Sequence, residues 1–250
     1  MNILFHGICG RIGKETVLLS GEGYRGAKVV CGVDINAVEG SGEIPCFTSL
    51  DRVDPAIPVD CIVDFSHHSA TEALLAYATE KNLPVVIATT GHTSDELDMI
   101  AQASKKIPIF RSGNMSLGIS LLIELAKTAA ATMPDADIEI VETHHNRKLD
   151  APSGTALMIA EALRKVRENA RFLLGRAGQG KRQPEEIGIH AIRVGNIVGT
   201  HEVIVGTDSQ TITLKHEAHS RALFAEGAIA AAAFLCGKGA GAYDMQSMIN

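Results

Sequence analysis

The 250-residue chain has no tryptophan, and aromatic residues make up only 4% of it. Proteins that hold bases by stacking depend on such rings, so a nucleic-acid-binding module is not expected. Positive charge is not in excess either: 23 Lys and Arg face 29 Asp and Glu, a net charge of −6. The basic residues are dispersed, so neither a polyanion nor an anionic membrane surface is an expected partner. Long hydrophobic runs are also missing. Ile3-Leu4-Phe5 has only a strand's length, far short of the apolar part of a signal peptide. The most apolar late run, Ala222 to Cys236, is interrupted by Glu226 and is too short to span a bilayer. The five cysteines are odd in number and contain no Cys-x-x-Cys. They fit free thiols in a reducing cytoplasm better than a disulfide framework.

What is present is an ordinary globular composition, 46% hydrophobic, long enough for one large or two modest domains. Asn2 to His6 reads as a buried strand that runs into Gly7-x-x-Gly10-x-x-Gly13 and an apolar-periodic helix. Gly7 permits a tight turn, Gly10 lets backbone approach a pyrophosphate, and Gly13 lets helix pack on strand; Arg11 and Ile12 lie between them. A second strand, from Ala27, ends at Asp34, about where a ribose-binding acid belongs, ~20 residues after the turn. Asn36 is a rival for that contact, because the end of the strand is not fixed by sequence. Ala37 to Pro58 reads as loop with short elements.

Further apolar strands follow at Asp60 to Ser66, Pro84 to Gly91 and Ile107 to Phe110, with helices at Ala70 to Glu80 and Ser94 to Lys105. Alternation of continuous apolar strands with amphipathic helices predicts a parallel, doubly wound, Rossmann-like sheet. Ligands of such sheets gather at the carboxyl ends of the strands. Phe65, Ala88, Thr89, Thr90, Gly91, Gly113, Asn114 and Met115 all fall there. Leu117 to Met133 reads as an apolar crossover helix into a second, α+β domain with an open mixed or antiparallel sheet. There Ile187 to Val194, Glu202 to Thr207 and Thr211 to Ala218 alternate in the manner of antiparallel strands. Residues 168 to 186 read as an irregular connection, and Ala222 to Leu235 as an Ala-rich helix.

The chemistry concentrates between Glu139 and Ala156. The stretch opens as a strand with Ile138, Ile140 and Glu142 on one side, and closes as a helix start with Pro152 set for the first turn. Between them stand His144, His145 and Lys148, able to bind anions or move protons. Ser153, Gly154 and Thr155 add hydroxyls and N–H donors at the positive end of a helix dipole. A solvated strand end followed by a helix cap would look similar.

Glu142-Thr-His-His-Asn-Arg-Lys-Leu-Asp-Ala-Pro-Ser-Gly-Thr-Ala156 resembles the Glu-x-His-His-x-x-Lys-x-Asp-Ala-Pro-Ser-Gly-Thr-Ala motif of the dihydrodipicolinate reductase family. The Asp-Phe-Ser, Thr-Thr-Gly and Asn-Met-Ser-Leu-Gly segments also resemble that family, whose likeness extends from residue 1 to about 236. Gly113, where the family often has Ala, and His67-His68 depart from its pattern. The resemblance implies NADH- or NADPH-dependent reduction of 4-hydroxy-tetrahydrodipicolinate, a cyclic dicarboxylate imine, with loss of water, on the diaminopimelate route to lysine. It implies His144 as general acid, Lys148 as carboxylate partner or second proton donor, and His145, Ser153, Gly154 and Thr155 as a carboxylate anchor. It also implies a cofactor contact at Arg221 near the hinge and a homotetramer built through the second sheet. The expected domains are 1–114 with 222–250 for dinucleotide and 115–221 for substrate and assembly, closing on each other.

Other readings are weaker. A hydrolase using Ser153 lacks a Gly-x-Ser-x-Gly elbow and has no use for the Gly turn. Ten histidines invite a metal, but none are spaced four apart on a helix, and adjacent His144 and His145 point apart on a strand. The remaining histidines read as surface or structural, and no metal is expected. A non-enzymatic NAD-binding regulator would not need His144, Lys148 and the Ser-Gly-Thr turn together; a dehydrogenase of another small carboxylic acid is the remaining alternative. On cofactor choice the sequence pulls both ways. Asp34 favours NADH, whereas Arg11 and Lys14 could reach a 2′-phosphate. NADH at least as good as NADPH is expected.

Overall fold

The computed structural model describes residues 1–39 and 42–249, so the part of the loop reading that falls on 40 and 41 lies outside the described residues. The first half runs β1 (Asn2–His6), α1 (Arg11–Gly21), β2 (Lys28–Val33), β3 (Cys46–Phe47), β4 (Cys61–Asp64), α2 (Thr71–Lys81), β5 (Val85–Ile87), α3 (Ser94–Ala103) and β6 (Pro108–Arg111). Then come α4 (Leu117–Thr132), β7 (Asp137–His144), α5 (Gly154–Arg164), β8 (Arg171–Leu174), β9 (Glu186–Arg193), β10 (Gly199–Gly206) and β11 (Thr211–Ala218). The chain finishes with α6 (Ala222–Leu235), β12 (Gly241–Tyr243) and α7 (Met245–Ile249). Two compact units result: Met1–Leu117 with the segment from Arg221 onward, and Gly118–Ser220.

The first unit is built on seven strands in the order β12-β6-β5-β4-β1-β2-β3, with every neighbouring pair parallel. Successive side chains on a strand point to opposite faces, and here both faces are covered. Ile3, Phe5, Val63 and Phe110 pack with Ala228 and Ile229 of α6. Leu4, Ile62, Val85 and Ile109 pack on the other side with Leu74 of α2 and Ile100 of α3. Burying each such Ile, Leu or Phe contributes roughly 1.5–3 kcal/mol, so the continuous apolar strands commit the sheet to a doubly wound form. Strand β1 has β2 on one side and β4 on the other, so the chain reverses its order of strands there.

The second unit holds a five-stranded mixed sheet in the order β11-β10-β7-β9-β8. Ile138 and Ile140, Ile187 and Ile189, and Val203 and Val205 turn one face onto α4 and α5. Glu139 lies on the opposite face, with Arg182 and His190 bonded to its carboxylate at 3.2 and 2.8 Å.

Three local expectations are corrected. Ile187 to Val194 was to be antiparallel, yet β9 runs parallel to both β7 and β8. Alternation reports which face a side chain takes and is blind to strand direction. The connection at 168 to 186 contains β8, a four-residue edge strand with no fully buried residue, which gives only a weak alternation. Pro152 is not in the first turn of α5. It precedes the N-cap Ser153, whose hydroxyl accepts from Ala156 N at 3.2 Å and so sets the helix start one residue later.

Among the described residues no helix is long and apolar enough to cross a membrane. The five cysteines are free thiols.

Candidate active site

The first unit carries a cradle at the carboxyl ends of its strands. Gly7 has φ +90, and a side chain there would bring Cβ to 2.6 Å from the Phe65 carbonyl oxygen. Only glycine meets both conditions. At Gly13 an added Cβ would lie 2.3 Å from the Ile8 carbonyl oxygen, so this glycine sets how closely α1 approaches β1. Between them Gly10 is the N-cap of α1, with no side-chain cap and no acid in the first turn. Uncapped N–H groups at the positive end of an 11-residue helix suit a phosphate. The residues therefore fit a dinucleotide.

Asp34, just past β2, accepts from Cys9 N at 3.0 Å and from Asn36 N at 2.9 Å. The acid thus holds the Gly turn as well as facing it. Asn36 is its hydrogen-bond partner, since the Asn36 side chain donates to the same carboxylate at 3.2 Å. Asp64, almost wholly buried, ties three strand ends together. Ser66 donates at 2.6 Å and Thr89 at 2.7 Å, and His6 Nδ1 lies 2.9 Å away. Burial pushes its carboxyl up, but the bonds from His6, Ser66 and Thr89 outweigh that and hold it below the ordinary range.

Phe65 stacks on Phe5 at 5.8 Å. Ala88, Thr89 and Met115 are buried, Ile12 and Asn114 half-buried, and Arg11, Lys14, Thr90, Gly91 and Gly113 exposed. A Cβ on Gly113 would meet Thr90 at 3.8 Å, an ordinary contact, so alanine would fit there equally well. Arg221 is exposed at the N-cap of α6. His68 bonds Glu96 at 2.9 Å, and Glu96 closes a capping box with Thr93 at the start of α3.

The second unit brings its predicted residues together where β7 meets α5. Period-two alternation puts Ile138, Ile140, Glu142 and His144 on the buried face of β7. Glu142 is completely buried. Its Oε2 accepts from His144 Nδ1 at 2.6 Å and its Oε1 from Ser153 N at 2.9 Å. Arg193 closes on both oxygens at 2.8 and 2.7 Å and also donates to the Asp150 carbonyl at 2.6 Å. Burial raises the Glu142 carboxyl, but Arg193, His144 and Ser153 N together hold it below its ordinary value. An unpaired carboxylate here would cost several kcal/mol, so these donors are a condition of its charge.

Lys148 pairs with Asp150 at 2.7 Å, which keeps the Asp150 carboxyl low. Gly154 is exposed in the first turn of α5, with nothing within 4 Å of where a Cβ would stand. His145 and Thr155 are half-buried. The arrangement ties the His144 ring and the start of α5 to one carboxylate, and Lys148 to the Asp150 that precedes the same helix.

Two neighbours were missed. His201 of β10 is buried, its Nε2 lies 3.2 Å from Ser153 Oγ, and its ring meets that of His144 edge-on at 5.2 Å. Burial, with His144 adding to it, pushes its pKa down to about 4, so it is neutral. Arg193 stands opposite His144 across the β7–β9 ladder. A signal existed for both: His201 shares parity with Val203 and Val205, and Arg193 with Ile187 and Ile189. Polar residues at buried-face positions of a strand are the ones to follow.

Comparison with known proteins bears on this geometry. Residues 1–115 match the family described as dihydrodipicolinate reductase, N-terminus, and residues 118–249 match dihydrodipicolinate reductase, C-terminus. The 4-hydroxy-tetrahydrodipicolinate reductase of Caldanaerobacter subterraneus subsp. tengcongensis is 45% identical over 251 residues, covering 100% of this chain and 98% of its own. That of Clostridium tetani is 41% identical, covering 100% and 97%. Among solved structures, a dipicolinate-bound dihydrodipicolinate reductase from Paenisporosarcina sp. TG-14 superposes with a TM-score of 0.84 at 24% identity, covering 100% of this chain and 99% of that one.

Proposed function

Because the chain belongs to the dihydrodipicolinate reductase family, we propose that the β7–α5 corner binds and protonates a cyclic dicarboxylate imine during its reduction. The reaction is NAD(P)H-dependent conversion of 4-hydroxy-tetrahydrodipicolinate to tetrahydrodipicolinate, on the diaminopimelate route to lysine. One hydride and one proton are added, and one water leaves. Gly7, Gly10 and Gly13, the first turn of α1, and Asp34 at the ribose would hold NAD(P)H, which would supply the hydride.

The observation that carries the site assignment is the His144–Glu142 bond, with Glu142 also bonded to the N-cap of α5. An ionised carboxylate only accepts, so Nδ1 bears a hydrogen and Nε2 is the nitrogen free to exchange its proton. His144 is then the general acid, delivering a proton from Nε2 to the electron pair displaced within the ring. Lys148 supplies positive charge to one substrate carboxylate. Ser153, Gly154 and Thr155 at the start of α5 complete the anchor for it, with His145 alongside. A small planar dicarboxylate is supported as ligand by the dipicolinate reported on the Paenisporosarcina relative.

In this reading NADH serves at least as well as NADPH, because Asp34 opposes a 2′-phosphate. The enzyme works in the cytoplasm, where its free thiols stay reduced, and assembles as a homotetramer through the second sheet. Competition by pyridine-2,6-dicarboxylate tests the site. It should compete with substrate and bind more weakly to Lys148→Ala; equal affinity for the variant and the parent would put the carboxylate site elsewhere.

A further inference from the structure

We propose that Glu142 is a positioning residue for proton delivery, acting through His144 and held in place by Arg193. The proposal rests on the reading of His144 as the proton donor. Glu142 touches no open space, being fully buried, so it makes no contact with substrate. A carboxylate offers about four lone-pair sites. Here four bonds use them: His144 Nδ1 at 2.6 Å, Ser153 N at 2.9 Å, and the Arg193 fork at 2.7 and 2.8 Å. Nothing is left over to bind a ligand. Whatever Glu142 does is done through these neighbours.

The neighbours are fixed by backbone register. His144 pairs with Arg193 across β7–β9, and Glu142 pairs with His201 across β7–β10. A one-residue slip would send all four to the wrong face. The second donor of Glu142, Ser153 N, belongs to the N-cap of α5, so one carboxylate sets both the imidazole and the start of the anion-binding helix. The far edge of the ring packs where only a glycine leaves room for it. Gly199 faces His144 Nε2, and a Cβ there would stand at 3.0 Å.

Glu142 and Arg193 pair with each other, Lys148 pairs with Asp150, and His201 is neutral. The Glu142 carboxylate is the anion in contact with His144.

The test is Glu142→Gln alone, His144→Gln alone, and both together. In Glu142→Gln the new amide donates toward His144 Nδ1, which forces the neutral tautomer with hydrogen on Nε2. General acid–base catalysis contributes on the order of 10²–10⁴, and a loss of kcat in that range is expected with substrate KM within about threefold of the parent. The double variant should be no slower than His144→Gln. Losses that multiply in the double variant, or near-parental turnover in Glu142→Gln, would overturn the positioning role. Full turnover in His144→Gln would instead overturn the proton-donor reading beneath it. Should Glu142→Gln fail to fold, nitrogen-15 NMR of His144 in the parent enzyme decides. A hydrogen-bonded proton on Nδ1 is expected, and an unprotonated Nδ1 would overturn the proposal.

Discussion

Lys148 Nζ lies 2.7 Å from Asp150 Oδ1, so the cation proposed to bind substrate is already partnered by a carboxylate of its own chain. An incoming dicarboxylate must compete with Asp150. A surface pair, here with Lys148 half-buried and Asp150 exposed, is worth about 0.2–1 kcal/mol, so Asp150→Asn should strengthen pyridine-2,6-dicarboxylate binding by about 1.5–5-fold. Lys148→Ala removes a charge-assisted bond of about 1.5–3 kcal/mol and should weaken it by roughly 10–100-fold. Titration calorimetry reads both. Weaker binding by Asp150→Asn would show that Asp150 assists the ligand.

His201 makes stability depend on pH. Its value falls from 6.5 to about 4 in the folded chain, so between those limits the unfolded chain binds the extra proton. Stability is therefore complete above pH 6.5 and declines as pH falls toward 4. At about 1.4 kcal/mol per unit the loss is of order 3 kcal/mol. His92 and His216, also lowered by burial, add to it with the same sign. The depressed Asp64 and Glu142 act in a more acidic window, where stability present above their unfolded values of 3.8 and 4.5 is lost as they protonate. Urea unfolding from pH 7 to 4 should show the first decline, and His201→Gln should flatten most of it. An unchanged slope in that variant would assign the decline to other groups.

Two glycines of the proposed sites should behave in opposite ways. Gly7→Ala forces φ +90 on a side chain and drives Cβ against the Phe65 carbonyl, so a fall in stability of about 1–3 kcal/mol or more is expected. Gly154→Ala meets nothing within 4 Å, and melting should be unaffected. Any rise in substrate KM for Gly154→Ala then reports the ligand's approach to the backbone. Unaltered KM and unaltered dicarboxylate affinity would remove the start of α5 from the site.

Cofactor preference turns on Asp34. Its carboxylate also holds Cys9 N and Asn36 N, so Asp34→Asn, which keeps an acceptor, is the gentler probe. NADPH should improve relative to NADH in that variant, read as the ratio of kcat/KM values. A ratio equal to that of the parent would leave the ribose contact to another residue.

Much of this was legible because the physics is local. Continuous apolar strands between amphipathic helices require cover on both faces, which gives the first sheet. Parity along β7 alone places Ile138, Ile140 and Glu142 on one side. What escaped was pairing between distant strands. The parallel direction of β9, the edge strand β8, and the arrival of Arg193 and His201 at Glu142 all depend on ladder order, which alternation does not encode. Pro152 misled for a different reason: helix starts tolerate proline at the first turn, but the Ser153 cap determined the boundary.

The most direct test of the account is steady-state turnover with the condensation product of pyruvate and aspartate semialdehyde, following NADH and NADPH oxidation. The parent enzyme should oxidise the nicotinamide in step with loss of that substrate, and His144→Gln should lower kcat by about 10²–10⁴-fold with little change in KM. No turnover by the parent with either nucleotide, or equal turnover by parent and variant, would contradict it.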